Sequence, residues 1–221
     1  ILPNYYEKLD SDLKNEIENS SQKSKELYYF HNNPLEDFSN NHLLKEIEQS
    51  ITKKRKVNFS YKNINYTDAK PLQIVFMGGN LYLAILTNEE LNGGFKFLRI
   101  NYIQEYKALT IEYNETATIS KAYEFLKEFQ TPFAWFDSDY KQVKISITEY
   151  AKEFFKLKKH LPSQAYKELP DSTAQLTYYV TNYMEIALLV KKWFPHLRII
   201  EPIEWNERFK SEIKQYLESD K

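Results

Sequence analysis

Hydrophobic residues along this chain change their spacing several times, and each change marks an element. Leu9, Leu13 and Ile17 recur at helical spacing in a polar stretch, with Asp10 or Ser11 placed to cap the start. Asn32-Asn33-Pro34 breaks any helix that arrives there. Leu43, Leu44, Ile47 and Ile51 form the next apolar stripe, with Asn40 or Asn41 as its cap. Lys53-Lys54-Arg55-Lys56 then places cations at the helix C-terminus, where the macrodipole favours them. From there the period drops to two. Val57, Phe59 and Tyr61 share one face of a strand, and Ile64 to Tyr66 is a short return strand. Leu72 to Met77 and Leu81 to Thr87 flank the tight turn Gly78-Gly79-Asn80. A loop at Asn92-Gly93-Gly94 leads to a strand from Phe95 to Ile100, and residues 101–113 close the unit. Short strands with tight turns at this density predict a small antiparallel barrel.

The second half changes order. Ala122, Phe125, Leu126 and Phe129 line one side of a helix over Thr118 to Phe129, ended by Thr131-Pro132. The tract Phe133 to Asp139 marks a boundary. Beyond it the pattern predicts a strand over Val143 to Thr148, a helix over Ala151 to Leu157 and a strand over Ser163 to Leu169. A turn at Pro170-Asp171-Ser172-Thr173 leads to a strand over Ala174 to Thr181. A helix over Met184 to Phe194, a strand over Leu197 to Ile200 and a helix from Pro202 to Leu217 complete the chain. The order βαββαβ is that of a ferredoxin-like sandwich with an added C-terminal helix. The fold class is therefore α+β. Residues 1–41 read as a helical connector, 42–113 as the barrel, 114–140 as a helical linker and 141–221 as the ferredoxin-like domain.

Composition narrows the chemistry. With 18 Tyr and 14 Phe beside 4 Gly, the chain favours strands and half-buried surfaces. The 30 basic and 31 acidic residues leave a net charge of −1, so any nucleic-acid contact must use a local patch. The lack of Cys excludes a disulfide framework, a thiolate metal site and a Cys nucleophile. His31, His42, His160 and His196 are scattered, with no zinc-ligand spacing. There is no GxGxxG, no P-loop and no Gly-x-Ser-x-Gly elbow, and Asp137 with Asp139 reads as solvated loop charge. Nothing points to catalysis, a metal or a cofactor. No long apolar span and no signal peptide is visible, so the expected location is the cytoplasm, away from membranes. The sequence opens at Ile1-Leu2-Pro3 without an initiator Met, which suggests a piece of a longer polypeptide.

Leu81-Tyr82-Leu83, directly after the glycine turn, resembles the Trp-Tyr-Leu triplet that names the WYL domain. The helix over 43–53, the strand ending in Tyr61 and the Pro71-Leu72 start follow that family's order. Leu98-Arg99-Ile100-Asn101-Tyr102-Ile103 resembles its Phe-Arg-Leu-Asp-Arg-Ile signature. The second domain is similar to the WCX extension that follows many WYL domains, through Lys192-Trp193-Phe194-Pro195 and Ile199-Ile200-Glu201-Pro202. The likeness spans residues 42–217. It implies an Sm-like or SH3-like barrel that senses a nucleic acid or nucleotide-like effector, within a dimeric bacterial transcription regulator. Operator DNA would be bound by an N-terminal winged helix-turn-helix, whose connector residues 1–40 resemble. The departures are Leu81 for the namesake Trp, Asn101 for the Asp, Tyr102 for the second Arg, and Thr67 where many members carry an Arg.

Arg99 is the first candidate site residue. An Arg between Leu98 and Ile100 points away from their face, and its planar fork can hold a phosphate bidentately. The plainer reading is a solvent-facing Arg on an amphipathic strand. Tyr61 and Tyr82 are candidates for stacking a base, against simple packing at the barrel core or rim. Tyr102, Asn101 and Lys70 complete the set, and the Lys53–Lys56 run could touch a phosphate backbone. Three functions stand at this level, the first two being a sensor of nucleic acid or nucleotide and a degenerate module serving only dimerisation or protein interaction. An enzyme acting on nucleotides is the third.

Overall fold

Asn40 starts the first helix: its side chain accepts a hydrogen bond from the Leu43 amide at 3.0 Å, and α1 runs Asn41–Thr52. The computed structural model describes residue 36, residues 40–170 and residues 173–219. The apolar repeat of Leu9, Leu13 and Ile17 and the break at Asn32-Asn33-Pro34 lie outside the described residues, as do Asp171 and Ser172. The described elements belong to one unit, Asp37–Lys221.

After α1 come β1 (Arg55–Tyr61), β2 (Ile64–Met77), β3 (Asn80–Leu86), β4 (Phe95–Arg99) and β5 (Ile103–Glu112). They form an antiparallel sheet in the order β4-β3-β2-β1-β5. Where the sequence pattern predicts a barrel, the strands pair as a five-stranded sheet with β4 and β5 at its edges. The sequence pattern differs from this in three places. The two strands expected around Lys70 are one. Ile64–Ala69 of β2 pairs with β1, and Lys70–Met77 pairs with β3. Pro71 fits inside because the register shifts between Pro71 and Gln73, where a missing N–H leaves no gap in a regular ladder. Just before it, Asp68 has φ +52°, and its N–H is taken by Asn58 Oδ1 at 2.9 Å. Residues expected only to close the unit form β5, which pairs along β1 from Arg55 opposite Glu112 to Tyr61 opposite Ile103. The basic run is also divided: α1 ends at Thr52, Lys54 turns the chain at φ +49°, and Arg55 and Lys56 enter β1. Lys54 and Lys56 face Glu115 at 3.9 Å and Asp68 at 3.8 Å, so the run is no isolated cationic patch.

Both faces of β3 are buried, which is why Leu81 to Leu86 reads as an unbroken apolar run. Leu83 and Ile85 join Leu43 and Ile47 of α1 in one core. Ala84 and Leu86 join Ile119 and Ala122 of α2 (Ala117–Glu128) in another, whose Phe95 ring meets Phe125 at 5.2 Å and Phe136 at 5.4 Å.

The remainder is β6 (Lys141–Ile147), α3 (Glu149–Leu157), β7 (Ala165–Glu168), β8 (Ala174–Val180), α4 (Tyr183–Lys192), β9 (Leu197–Glu201) and α5 (Ile203–Glu218). The predicted βαββαβ order with a final helix is present, as a second antiparallel sheet ordered β7-β8-β6-β9. Val143, Ile145, Leu176, Tyr178, Ile186 and Val190 fill its core. The tract before β6 is bonded to a loop of each half: the Asp137 amide donates to Asn92 Oδ1, between β3 and β4, at 3.0 Å, and the Trp135 amide to Thr181 Oγ1, just after β8, at 2.8 Å.

Candidate functional site

Two tight turns, one at each end of β2, and the short turn after β4 build the site. Met77 pairs with Asn80, leaving Gly78 and Gly79 as a two-residue hairpin loop with φ +58° and +82°. Positive φ at both central positions is what such a loop demands, and glycine supplies it without steric cost. The turn delivers Asn80, whose Nδ2 donates to the Gly78 carbonyl at 3.1 Å. Asn80 Oδ1 then accepts a hydrogen bond from Arg99 Nη2 at 2.6 Å. Arg99 lies directly opposite Tyr82 in the β3–β4 ladder, so these two side chains share a face.

The second turn joins β1 to β2. Tyr61 pairs with Ile64, and the intervening Lys62 and Asn63 have φ +47° and +66°. Left-handed backbone suits Asn but is uncommon for Lys. It carries the Lys62 ammonium over two rings, 4.7 Å from the Tyr102 centroid and 5.7 Å from that of Tyr61. Tyr102 stands on the short 3₁₀ turn Ile100–Tyr102 that follows β4. Its ring meets Tyr61 edge to face at 6.1 Å, and the Arg99 guanidinium carbon lies 5.5 Å from its centroid. Two cations thus flank one tyrosine that is 41% exposed. Each such contact is worth about 0.5–1 kcal/mol at an exposed position.

Burial is the main reason the Tyr61 hydroxyl is held protonated above the ordinary range, with Tyr102 and Tyr82 adding to it. The Arg99 main-chain N–H and the Arg99 charge oppose that rise. The site therefore presents a protonated Tyr61 hydroxyl beside the side chains of Arg99 and Lys62. It can take an anion against Arg99 and Lys62 and a planar ring against Tyr102, where stacking is worth about 1–3 kcal/mol per base.

Of the residues singled out in the sequence, Tyr61, Tyr82, Arg99 and Tyr102 come together, with Asn101 exposed on the same turn. Lys70 does not join them. It pairs with Leu86, far along the β2–β3 ladder from the Val75–Tyr82 pair. Lys62 and Asn80 are the two contributors that sequence reasoning missed. Their signal was present: Lys62-Asn63 separates two alternating runs as a two-residue loop, and Asn80 ends the glycine turn.

Among the described residues, no group of three or more His, Cys, Asp or Glu is placed to hold a metal ion, and no helix is long and apolar enough to cross a membrane.

Residues 42–108, from α1 into β5, match the family model of the WYL domain, and all four clustered residues lie within that stretch. No curated protein matches the sequence. Among solved structures, the chain is similar to proteasome accessory factor B/C (PafBC) of Arthrobacter aurescens, at 13% identity and a TM-score of 0.32 over 81% of this chain and 27% of that one. It is also similar to a CRISPR Cas-related protein, at 15% identity and a TM-score of 0.49 over 80% of this chain and 50% of that one. The chain thus spans about a quarter and about half of those two proteins.

Proposed function

We propose that this chain is the effector-sensing region of a cytoplasmic bacterial transcription regulator, and that its WYL region binds a nucleic-acid strand or nucleotide. The observation that carries this reading is the convergence of Arg99 and Lys62 on the exposed ring of Tyr102, beside Tyr61 and Tyr82. Phosphate is met by the two cations and a base by the ring. In this reading the five-stranded sheet is an Sm-like barrel, and the second sheet is a ferredoxin-like WCX domain that supports a homodimer. Ligand favours one dimer geometry and so resets the spacing of N-terminal DNA-binding heads. No catalytic step is assigned.

The test is fluorescence anisotropy with a labelled single-stranded oligonucleotide and with labelled nucleotides. The expected result is salt-dependent binding that Arg99→Ala weakens about tenfold, the loss of roughly one charge-assisted contact. Absence of binding to strand and nucleotide alike, or indifference to Arg99→Ala, overturns the sensor.

One observation favours a second reading. Asn80 already occupies one guanidinium nitrogen of Arg99 at 2.6 Å, as expected of a wall that satisfies itself. The region then serves only dimerisation or a protein partner, and oligomeric state would respond to surface substitutions while nucleic acid would not bind.

A further inference from the structure

The end of the second sheet carries an open apolar groove remote in sequence from Arg99. β9 is an edge strand, hydrogen-bonded to β6 on one side only. Beside it lies a groove of about 360 Å³ between β9 and α5. Phe194, Leu197 and Ile199 line it from the strand side, and Phe209, Ile213 and Leu217 from the helix. Phe194 and Leu217 are 57% and 66% exposed, which is unusual for side chains of this kind grouped together. The charged lining is cationic, from Arg198, Lys210 and Lys214, and among the described residues no acidic side chain lines the groove. Lys210 and Lys214 also face Glu207 at 2.7 Å and Glu218 at 3.8 Å, along the outside of α5.

We propose that β9 and α5 form a docking site for an extended acidic–apolar peptide segment of a partner protein, added to the sheet as a fifth strand. An edge strand offers its outward N–H and C=O groups as a template for such addition. Side chains alternate across a strand, and Leu197 and Ile199 are buried while Arg198 and Ile200 are exposed. A strand laid against β9 therefore turns every second residue into the apolar groove. The intervening residues face Arg198, and the ends of the segment pass Lys210 and Lys214. That selects apolar residues at alternate positions with carboxylates between and beside them. Charge favours this occupant because Arg198 makes no salt bridge among the described residues, whereas a second β9 would bring Glu201 as well as Arg198 to the same edge and is an outcome of the test.

The experiment titrates the full chain with a fluorescein-labelled synthetic nonapeptide that alternates valine with serine and ends in two aspartates at each terminus. Saturable binding is expected, with amide exchange slowed at Leu197 and Ile199, whose N–H groups point away from β6. Arg198→Glu and the exposed Leu217→Asp should each weaken it at least tenfold. A peptide N-methylated at alternate amides, or one with lysines in place of aspartates, should bind at least tenfold less. Equal binding of either control peptide, unchanged affinity in both variants, or no binding by the aspartate peptide overturns the proposal. So does concentration-dependent self-association that Leu217→Asp abolishes, which would assign the groove to a second copy. None of these outcomes depends on strand binding at Arg99.

Discussion

His160 shows how much a single residue can report about folding. Its ring lies 4.3 Å from Phe155 and 5.4 Å from Trp193, and its Nε2 is buried without a hydrogen-bond partner. Burial, with Lys158 and Lys192 adding to it, holds its pKa below the ordinary value. Its main-chain N–H donates to Gln164 Oε1 at 2.9 Å, so the loop cannot easily swing the ring into water. The folded state thus prefers the neutral imidazole, whereas the unfolded chain takes up a proton near pH 6.5. The stability this group supports is complete above about pH 6.5 and declines as pH falls from there towards the lower folded-state pKa. Denaturant midpoints should drop between about pH 7 and pH 5, and His160→Phe should flatten that part of the profile. An unchanged slope in the variant would remove His160 from the account. Lys62 makes a different kind of report. Its stem is solvent-exposed and its contacts are to rings, so Lys62→Ala should leave the unfolding midpoint in place. Oligonucleotide affinity should fall, and the slope of log affinity against log salt should decrease by about 1.

Elements explain why the site holds its shape, and the β2–β3 hairpin offers a direct test. A Cβ added at Gly78 meets nothing within 4 Å, so space does not forbid Gly78→Ala. The backbone does: at φ +58° an L side chain costs about 1 kcal/mol. The expected outcome is a loss of about that size in chemical denaturation, together with weaker strand binding because Asn80 no longer meets Arg99 squarely. Stability loss without any binding change would separate the turn from the site. Most elements were legible because their apolar period matches their burial. β8 alternates buried and open from Ala174 to Val180, and α1 buries the predicted Leu43 and Ile47. What was not legible depends on distant partners. Pro71 looked like a strand start, but a register shift and the Asn58 side chain let one strand run through. β5 carries mostly exposed residues, so no apolar period announced it, and its pairing with β1 comes from backbone hydrogen bonds. Arg99 stood out as a charge in an apolar run. Lys62, one of many lysines, gained its place only when the turn put it over Tyr102.

At the scale of the whole unit, the segment between the sheets acts as a joint, and a buried carboxylate holds it. Glu185 is 4% exposed. Its Oε1 accepts hydrogen bonds from the Thr181 amide at 2.9 Å, the Thr181 hydroxyl at 3.0 Å and the Asn182 amide at 3.2 Å. Its Oε2 accepts from the Thr131 hydroxyl at 3.1 Å. A buried carboxyl group is tolerable when its lone pairs are filled in this way. The same residue completes the capping box of α4 with Asn182, so it fixes a helix start and the linker together. Thr181 in turn receives the Trp135 amide, and Gln130 Nε2 reaches the Tyr179 carbonyl at 2.8 Å. Glu185→Ala leaves several donors buried without acceptors, a loss of about 3–5 kcal/mol. Glu185→Gln keeps the shape and part of the acceptor set, and should lose less. If the joint couples the sheets, the Ala variant should show faster amide exchange at Trp135 and Thr131 before global unfolding, and proteolysis in residues 130–139. An Ala variant that unfolds in one step with those amides still protected would mean that Glu185 stabilises α4 alone, and that the Phe95, Phe125 and Phe136 rings hold the linker without it.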